Sequence, residues 1–328
     1  MSRRRLTHPL KFVRARTRTA INRVLHDAEV RRGSRLPARD DPAPIFVVGP
    51  PRSGSTLFFQ LLVEAFDAGW LANAHMRWPG GAARIERREH PRAAKSHEQS
   101  SYTSQYGDTE QPWEPHEGTN YWYRFFPRGR HEMTDADATP QRVGAFRAAV
   151  RALTDACGSP VFFKNSLNTL RLPVIAAALP EARFIYISRE REANARSILT
   201  GRIKNVGIDQ WWSARPAGAE EHAVETPAQQ VVWQSDRINE VALRELGRLT
   251  DDRWMQVTYT DVCTDPAGTI DRVDAWLHGS GVPIRRRAGA QLPDHFDESS
   301  GRPFEPALEA EFQAALATRD RDGVDTKS

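Results

Sequence analysis

Residues 49–56 of the chain read GPPRSGST and combine one cation, three hydroxyls and two glycines in a short stretch. An apolar run at residues 45–48 precedes this stretch, and a second, mostly apolar run at residues 57–62 follows it. The first run predicts a buried β-strand and the second predicts a helix. A turn between a strand and a helix can bind an anion, because backbone N–H groups and the positive end of the helix meet there.

The same stretch nearly matches the nucleotide-binding P-loop pattern, G-x-x-x-x-G-K-[ST]. Gly49, Gly54 and Thr56 occupy positions that the pattern specifies, whereas Ser55 stands where the pattern has lysine. That lysine reaches the β- and γ-phosphates of a nucleoside triphosphate, so its absence argues against phosphoryl transfer. The turn instead contains Arg52, which the pattern does not require. An ordinary strand–turn–helix corner is the alternative interpretation of this segment taken alone.

A second stretch, residues 182–199, also places a cation after an apolar strand. Residues 184–187 predict the strand, Arg189 follows its carboxyl end, and Ser197 lies eight residues later in the next predicted helix. Together the two stretches resemble the sulfotransferases that use 3′-phosphoadenosine 5′-phosphosulfate (PAPS). The resemblance implies an α/β chain with a three-layer, P-loop-like fold, in which helices flank a central and mostly parallel sheet.

The resemblance also implies which residues hold the donor. In this family the first turn binds the 5′-phosphosulfate, which here implies contacts from Arg52, Ser53, Gly54, Ser55 and Thr56. The 3′-phosphate is bound by the later arginine and serine, which are Arg189 and Ser197 in this chain. PAPS would then be the donor and adenosine 3′,5′-bisphosphate (PAP) the product, and no metal is required.

Lys164 follows a short apolar run at residues 161–163 and is one of only five lysines, against 41 arginines. In a chain that otherwise uses arginine, a lysine at a strand end indicates a need for a compact point charge. The alternative is that the lysine is present by chance. In the sulfotransferases a lysine at the corresponding strand end contacts the transferring sulfuryl group. Cytosolic members have a catalytic histidine two residues later, where this chain has Ser166, so the base must come from elsewhere.

Residues 108–128 combine acid–base side chains with many aromatic residues. This combination suits a pocket for an apolar-faced or sugar-like acceptor, and a structural aromatic cluster is the alternative. Some bacterial sulfotransferases have a similar stretch here. The candidate bases are therefore Glu117, then His116 and Glu114, with His97 and His75 as weaker candidates. The expected acceptor contacts are Trp113, Tyr121, Trp122, Trp211 and Trp212.

These residues predict in-line transfer of a sulfuryl group from PAPS to a hydroxyl of a small-molecule, lipid or carbohydrate acceptor. Glu117 would take the hydroxyl proton, while Lys164 and Arg52 would stabilise charge on the leaving phosphate and the sulfuryl oxygens. Two alternatives remain open. One is a nucleotide-dependent kinase with a degenerate P-loop, and the other is a noncatalytic module that binds anions or membranes.

Charge is distributed unevenly along the 328 residues, whose formal net charge is +4. Residues 1–40 contain twelve basic and three acidic side chains, so they carry +9 and the remainder carries about −5. This distribution excludes a broadly basic, nucleic-acid-binding body. Residues 1–36 predict a basic amphipathic helix, which can lie on an anionic membrane surface, bind a polyanion or pack on the domain. Its apolar face is predicted to contain Leu6, Leu10, Val13, Ile21, Val24 and Leu25.

The predicted organisation has an N-terminal helix and linker at residues 1–40, a sulfotransferase domain at 41–310, and a C-terminal helix end with a polar tail at 311–328. No apolar run is long enough for a membrane span, and no signal peptide is visible. Cys157 and Cys263 match no metal or redox pattern. We therefore expect a cytoplasmic protein without a nucleic-acid partner, which contacts the inner membrane surface peripherally through the N-terminal helix.

Overall fold

A parallel β-sheet forms the centre of the computed structural model, which describes residues 9–37, 42–93, 102, 111–299 and 301–325. The strands are β1 (Ile45–Val48), β2 (Gly69–Trp70), β3 (Val161–Lys164), β4 (Arg183–Ser188) and β5 (Trp254–Thr258). They lie in the order β2-β3-β1-β4-β5, and all neighbouring pairs are parallel. The predicted α/β class with a central parallel sheet is confirmed.

Helices cover both faces of this sheet. The α-helices of the described chain are α1 (Pro9–Ser34), α2 (Ser55–Ala65), α3 (Ala82–Ala93), α4 (Thr119–Trp122), α5 (Pro140–Cys157), α6 (Leu172–Ala178), α7 (Arg191–Asn205), α8 (Pro227–Leu246), α9 (Tyr259–Thr264), α10 (Pro266–Gly279) and α11 (Pro306–Asp325). Apolar residues of α2 and α10 form the core on one face, and those of α5 and α6 form the core on the other. The result is the three-layer arrangement that the sequence predicts.

The central strand β1 shows why the sheet has two cores. Its four residues are all buried, and their side chains alternate between the two faces. Ile45 and Val47 pack with α2, whereas Phe46 and Val48 pack with α5 and α6. Because successive side chains of a strand point to opposite faces, a strand buried on both sides must be apolar throughout. This explains the uninterrupted apolar run before the glycine.

The N-terminal helix α1 packs on the domain along α5. A Cβ on Gly33 would lie 1.7 Å from the carbonyl oxygen of Ala148, so the two helices touch through their backbones. Glu29, which is 5% exposed, accepts hydrogen bonds from the backbone N–H of Ala83 and from Arg124, both at 2.8 Å. A buried carboxylate that is paired in this way anchors the helix to the domain.

α1 also leaves some of its apolar side chains uncovered. Ile21 is 40% exposed and Val24 is 66% exposed, whereas Leu25 is partly buried. Leu6, which also belongs to the predicted apolar face, lies outside the described residues. Among the helices that the structure describes, none combines the length and the apolar character that crossing a membrane requires.

The C-terminal helix α11 packs against α7 and α8, and the predicted boundary at residue 310 falls inside it. Arg196 of α7 donates to both carboxylate oxygens of Glu309, at 2.5 and 2.6 Å. The same guanidinium stacks on the rings of Phe304 and Phe312, with its central carbon 5.2 and 4.8 Å from their centroids. This paired arginine fixes α11 beside the helix that carries Ser197.

Candidate active site

The carboxyl ends of four neighbouring strands bring the candidate residues to one edge of the sheet. β1 leads into the 49–56 turn, Lys164 ends β3, Arg189 follows β4, and Tyr259 follows β5. β3 and β4 flank β1 on its two sides, and Lys164 is paired with Val47 in the strand register. Residues that follow neighbouring parallel strands share one edge, which is where such sheets bind ligands.

At two positions of the 49–56 turn, only glycine fits the backbone conformation and the space around it. Gly49 has φ 153°, and a Cβ there would lie 2.3 Å from the carbonyl oxygen of Ile187. Gly54 has φ 85°, and a Cβ there would lie 2.2 Å from the ring of Tyr259. Arg52 adopts φ 66°, a left-handed conformation that side-chain-bearing residues rarely take. The turn therefore approaches both β4 and Tyr259 closely.

Two buried side chains hold the turn in place through hydrogen bonds to its backbone. The Thr169 hydroxyl accepts from the N–H of Gly49 at 2.9 Å and donates to the Gly49 carbonyl at 2.8 Å. The Asn194 amide donates to the Pro51 carbonyl at 2.9 Å, and its oxygen accepts from the Ser235 hydroxyl at 2.7 Å. The sequence carries no signal for Thr169 or Asn194, because isolated polar residues within helical segments are common.

The first turn of α2 faces the cleft with its backbone donors. Gly54 precedes the helix, and none of the described side chains caps this helix end. The first N–H groups of a helix have no acceptor within the helix itself. The positive end of the helix dipole lies at the same place, beside the Ser55 and Thr56 side chains that line the cleft. This arrangement can bind an anionic group such as a phosphate or a sulfate.

Lys164 reaches into this anion site from the neighbouring strand. Its Nζ donates to the Thr56 hydroxyl at 2.9 Å and forms an ion pair with the Glu117 carboxylate. The Lys164 side chain is 4% exposed and that of Glu117 is 26% exposed. A lysine from β3 thus lies beside the turn whose own lysine position holds Ser55. The first-choice base and the predicted sulfuryl-contacting cation are in direct contact.

Arg189 and Ser197 lie on the other side of the turn and are linked through Arg52. Arg189 donates to the Arg52 carbonyl at 2.8 Å and also to the carbonyl of Ser299. The Arg52 side chain donates through Nε to the Ser197 hydroxyl at 3.1 Å. Arg189 stacks on the ring of Tyr259 at 4.6 Å, and its burial lowers the pKa of the guanidinium from the ordinary value. Burial likewise raises the pKa of the Tyr259 hydroxyl.

The turn, Lys164, Glu117 and the Arg189–Ser197 pair line a single cleft with a volume of about 270 Å³. Its lining residues are Pro51, Arg52, Gly54, Ser55, Thr56, Leu57, Glu117, Lys164, Ser166, Arg189, Ser197, Trp212, Ser213, Tyr259 and Ser299. The charged members are three cations and one carboxylate, so the cleft is electropositive. It can therefore hold a polyanionic ligand close to a group able to accept a proton.

Comparison with known proteins identifies the family. A family model described as "Sulfotransferase family" matches residues 44–280. The chain belongs to the sulfotransferase family. The match contains the anion-binding turn, Lys164, Arg189 and Ser197, and it leaves out α1 and α11. A search of curated protein sequences found no significant match.

One solved sulfotransferase structure resembles this sulfotransferase in fold, and two others are similar at lower TM-scores. One from Mycobacterium tuberculosis has 14% sequence identity and a TM-score of 0.50, covering 79% of this chain and 73% of that chain. One from Mycobacterium avium has 16% identity and a TM-score of 0.49, covering 73% and 64% of the two chains. One from Alicyclobacillus acidocaldarius has 14% identity and a TM-score of 0.40, covering 86% and 94%.

The aromatic residues expected to contact the acceptor do not share one location in this sulfotransferase. Trp212 lines the cleft. Tyr121 and Trp122 are fully buried in the core against β1 and β3, so the expectation that they contact the acceptor is wrong. Trp113 packs edge-on against the buried His75, and Trp211 packs against Trp233 at 6.2 Å between ring centroids. Trp113 and Trp211 are not among the residues that line the described cleft.

The other two candidate bases of residues 108–128 accept hydrogen bonds from nearby backbone N–H groups. The Glu114 carboxylate accepts from the N–H of Gln111 at 2.8 Å. The Nδ1 atom of His116 accepts from the N–H of Gly118 at 2.8 Å. Neither side chain lines the described cleft, whereas Glu117 does. The geometry therefore favours Glu117 over His116 and Glu114 as the group that can reach an acceptor.

Two further candidate side chains are buried, and a third candidate lies outside the described residues. His75 is fully buried, accepts from the N–H of Ala72 at 2.9 Å and bonds Glu86 at 2.9 Å, which is a structural role. His97 lies outside the described residues. Ser53 belongs to the turn, but its side chain is buried beneath it. Among the residues that the structure describes, no three His, Cys, Asp or Glu side chains form a group that could hold a metal.

Proposed function

We propose that this sulfotransferase moves a sulfuryl group from PAPS to a hydroxyl of a small-molecule, lipid or carbohydrate acceptor. The observation that supports the proposal is the meeting of an anion-binding turn, Lys164, Glu117 and the Arg189–Ser197 pair in one cleft. The family match favours sulfuryl transfer over the kinase and noncatalytic alternatives.

The cleft suits a donor with two anionic ends. The 5′-phosphosulfate would bind at the turn and the start of α2, with contacts from Arg52, Gly54, Ser55 and Thr56. The 3′-phosphate would bind on the far side of the turn at Arg189 and Ser197, with Tyr259 beneath the guanidinium. Arginine presents a planar fork of donors, which fits a phosphate better than a single ammonium group does.

The proposed reaction is an in-line displacement at sulfur. Glu117 accepts the proton of the acceptor hydroxyl as the new oxygen–sulfur bond forms. The bond between sulfur and the phosphate oxygen breaks on the opposite side, and PAP leaves. Lys164 and the α2 backbone donors stabilise the charge that develops on the sulfuryl and leaving oxygens. Because Lys164 contacts both Thr56 and Glu117, it can link the donor turn to the base.

The acceptor would enter beside Glu117, and Trp212 and Ser213 line the same cleft. An indole in such a wall suits an apolar-faced or sugar-like molecule. We also propose that residues 41–310 form the catalytic domain and that the protein works in the cytoplasm. The exposed Ile21 and Val24 of α1, next to basic side chains, would support peripheral contact with an anionic membrane surface.

Calorimetric titration with PAP, compared with ATP and Mg²⁺, tests this function. The wild type is expected to bind PAP more tightly than ATP, and Arg189→Ala is expected to weaken PAP binding at least tenfold, because a phosphate loses a charged partner. Arg191→Ala is the matched control, since Arg191 pairs with Asp236 outside the cleft lining. Tighter binding of ATP than of PAP, or equal PAP binding by Arg189→Ala, would refute the proposal.

A further inference from the structure

The backbone carbonyl of Glu117 is held by two buried side chains. The indole N–H of Trp122 donates to this oxygen at 2.7 Å, and the amide of Asn165 donates to it at 3.0 Å. Trp122 is fully buried, and Asn165 is 1% exposed. A carbonyl oxygen has two lone pairs, so these donors satisfy it completely. Both donors bind the residue whose carboxylate contacts Lys164.

The chain on either side of Glu117 is fixed as well. The N–H of His116 donates to the Leu71 carbonyl at 2.8 Å, and the N–H of Gly118 donates to the His116 ring at 2.8 Å. Gly118 has φ 67°, and a Cβ there would lie 2.5 Å from the side chain of Leu71. A left-handed glycine is therefore needed for the chain to turn back from Glu117 into α4.

Fixing the backbone limits where the Glu117 carboxylate can lie, because a glutamate side chain has several rotamers. It is 26% exposed and contacts the ammonium of Lys164, whose side chain is 4% exposed. Asn165 is the residue after Lys164, so the same donor ties the base to the strand that carries the cation. A displacement of about 1 Å in such a constellation can cost about 100-fold in rate.

We propose that Trp122 and Asn165 are positioning residues that hold the Glu117 carboxylate against Lys164. This inference rests on the proposed function, because it assigns a purpose to the base and the cation of that site. Trp122 thus acts from the core through its indole N–H, and it does not contact the acceptor. The proposal predicts an effect on the affinity for PAP, which can be measured without knowing the acceptor.

The test is calorimetric titration of PAP into the full chain and its variants. Glu117→Gln is expected to tighten PAP binding about tenfold, because it removes a negative charge beside the phosphate site and releases Lys164. Trp122→Phe keeps the buried ring but removes the N–H, and it is expected to tighten PAP binding about threefold as Glu117 loosens from Lys164. In the Glu117→Gln background, Trp122→Phe is expected to leave PAP affinity unchanged.

Trp276→Phe is the matched control, because its indole N–H has no hydrogen-bond partner among the described residues and it is not one of the residues that line the cleft. Asn165→Ala provides an independent test if Trp122→Phe does not fold, and it is expected to shift PAP affinity in the same direction. Equal effects of Trp122→Phe with and without Glu117→Gln would overturn the inference, as would unchanged affinity in both Trp122→Phe and Asn165→Ala. Absence of PAP binding to the wild type overturns the proposed function, and the inference with it.

Discussion

Replacing Lys164 by methionine should separate the charge of this residue from its volume. Methionine is unbranched and of similar length, so it can fill the buried space without supplying an ammonium group. Lys164 is almost completely buried, and its Nζ lies 2.9 Å from the Thr56 hydroxyl. The substitution therefore removes one positive charge from the wall of the anion site and leaves Glu117 without its partner.

The magnitude follows from this geometry. An anionic group bonded to the Thr56 hydroxyl would lie on the order of 5 Å from the former ammonium position, since Nζ already contacts that hydroxyl. At an effective dielectric constant of about 20, one pair of unit charges at about 5 Å interacts by about 3 kcal/mol. This energy corresponds to a loss of about 100-fold in affinity. The unpaired Glu117 carboxylate would also repel the ligand.

Calorimetry with PAP at two salt concentrations provides the assay. Lys164→Met is expected to weaken PAP binding about 100-fold, and Lys164→Met with Glu117→Gln is expected to recover part of this loss, because the repulsion disappears. Lys204→Met is the matched control, since Lys204 is exposed on α7 outside the cleft lining. If Lys164→Met binds PAP within about threefold of the wild type, the reasoning that places this charge beside the phosphate site is wrong.

Two further predictions concern the turn and the C-terminal helix. Gly54→Ala is expected to lower the free energy of unfolding by about 2 kcal/mol and to weaken PAP binding, because φ is 85° and Tyr259 blocks the Cβ. Gly144→Ala, with open space around it in α5, is the control in urea unfolding, and equal effects would contradict the argument. Hydrogen bonds from Arg196 lower the pKa of Glu309 from 4.5 to about 2, so this contribution to stability is lost as the pH falls through those values. Glu309→Gln should therefore lower stability by about 1 kcal/mol at neutral pH and by much less near pH 2, and a Tm difference that does not change with pH would refute this.

The amino-acid sequence alone determined the parts of the site that depend on neighbours in the chain. The apolar run of β1, the glycines of the turn and the following helix are local features, because each follows from residue type and spacing. The same holds for Arg189 at the end of β4 and Ser197 in α7, which resemble a family pattern. Lys164 could be identified from composition, since lysine is rare in this chain.

The tertiary structure decided how residues distant in the sequence meet. Strand order alone places Lys164 beside a turn that lies more than 100 residues earlier, because β3 pairs with β1. The direction of a side chain in the short helix α4 depends on what packs against it, so aromatic density could not distinguish the buried Trp122 from a pocket wall. Thr169 accepts a hydrogen bond from the N–H of Gly49 in the turn, although the sequence around Thr169 shows no motif. Local pattern thus specified which groups are present, and packing against the sheet specified which of them face the cleft.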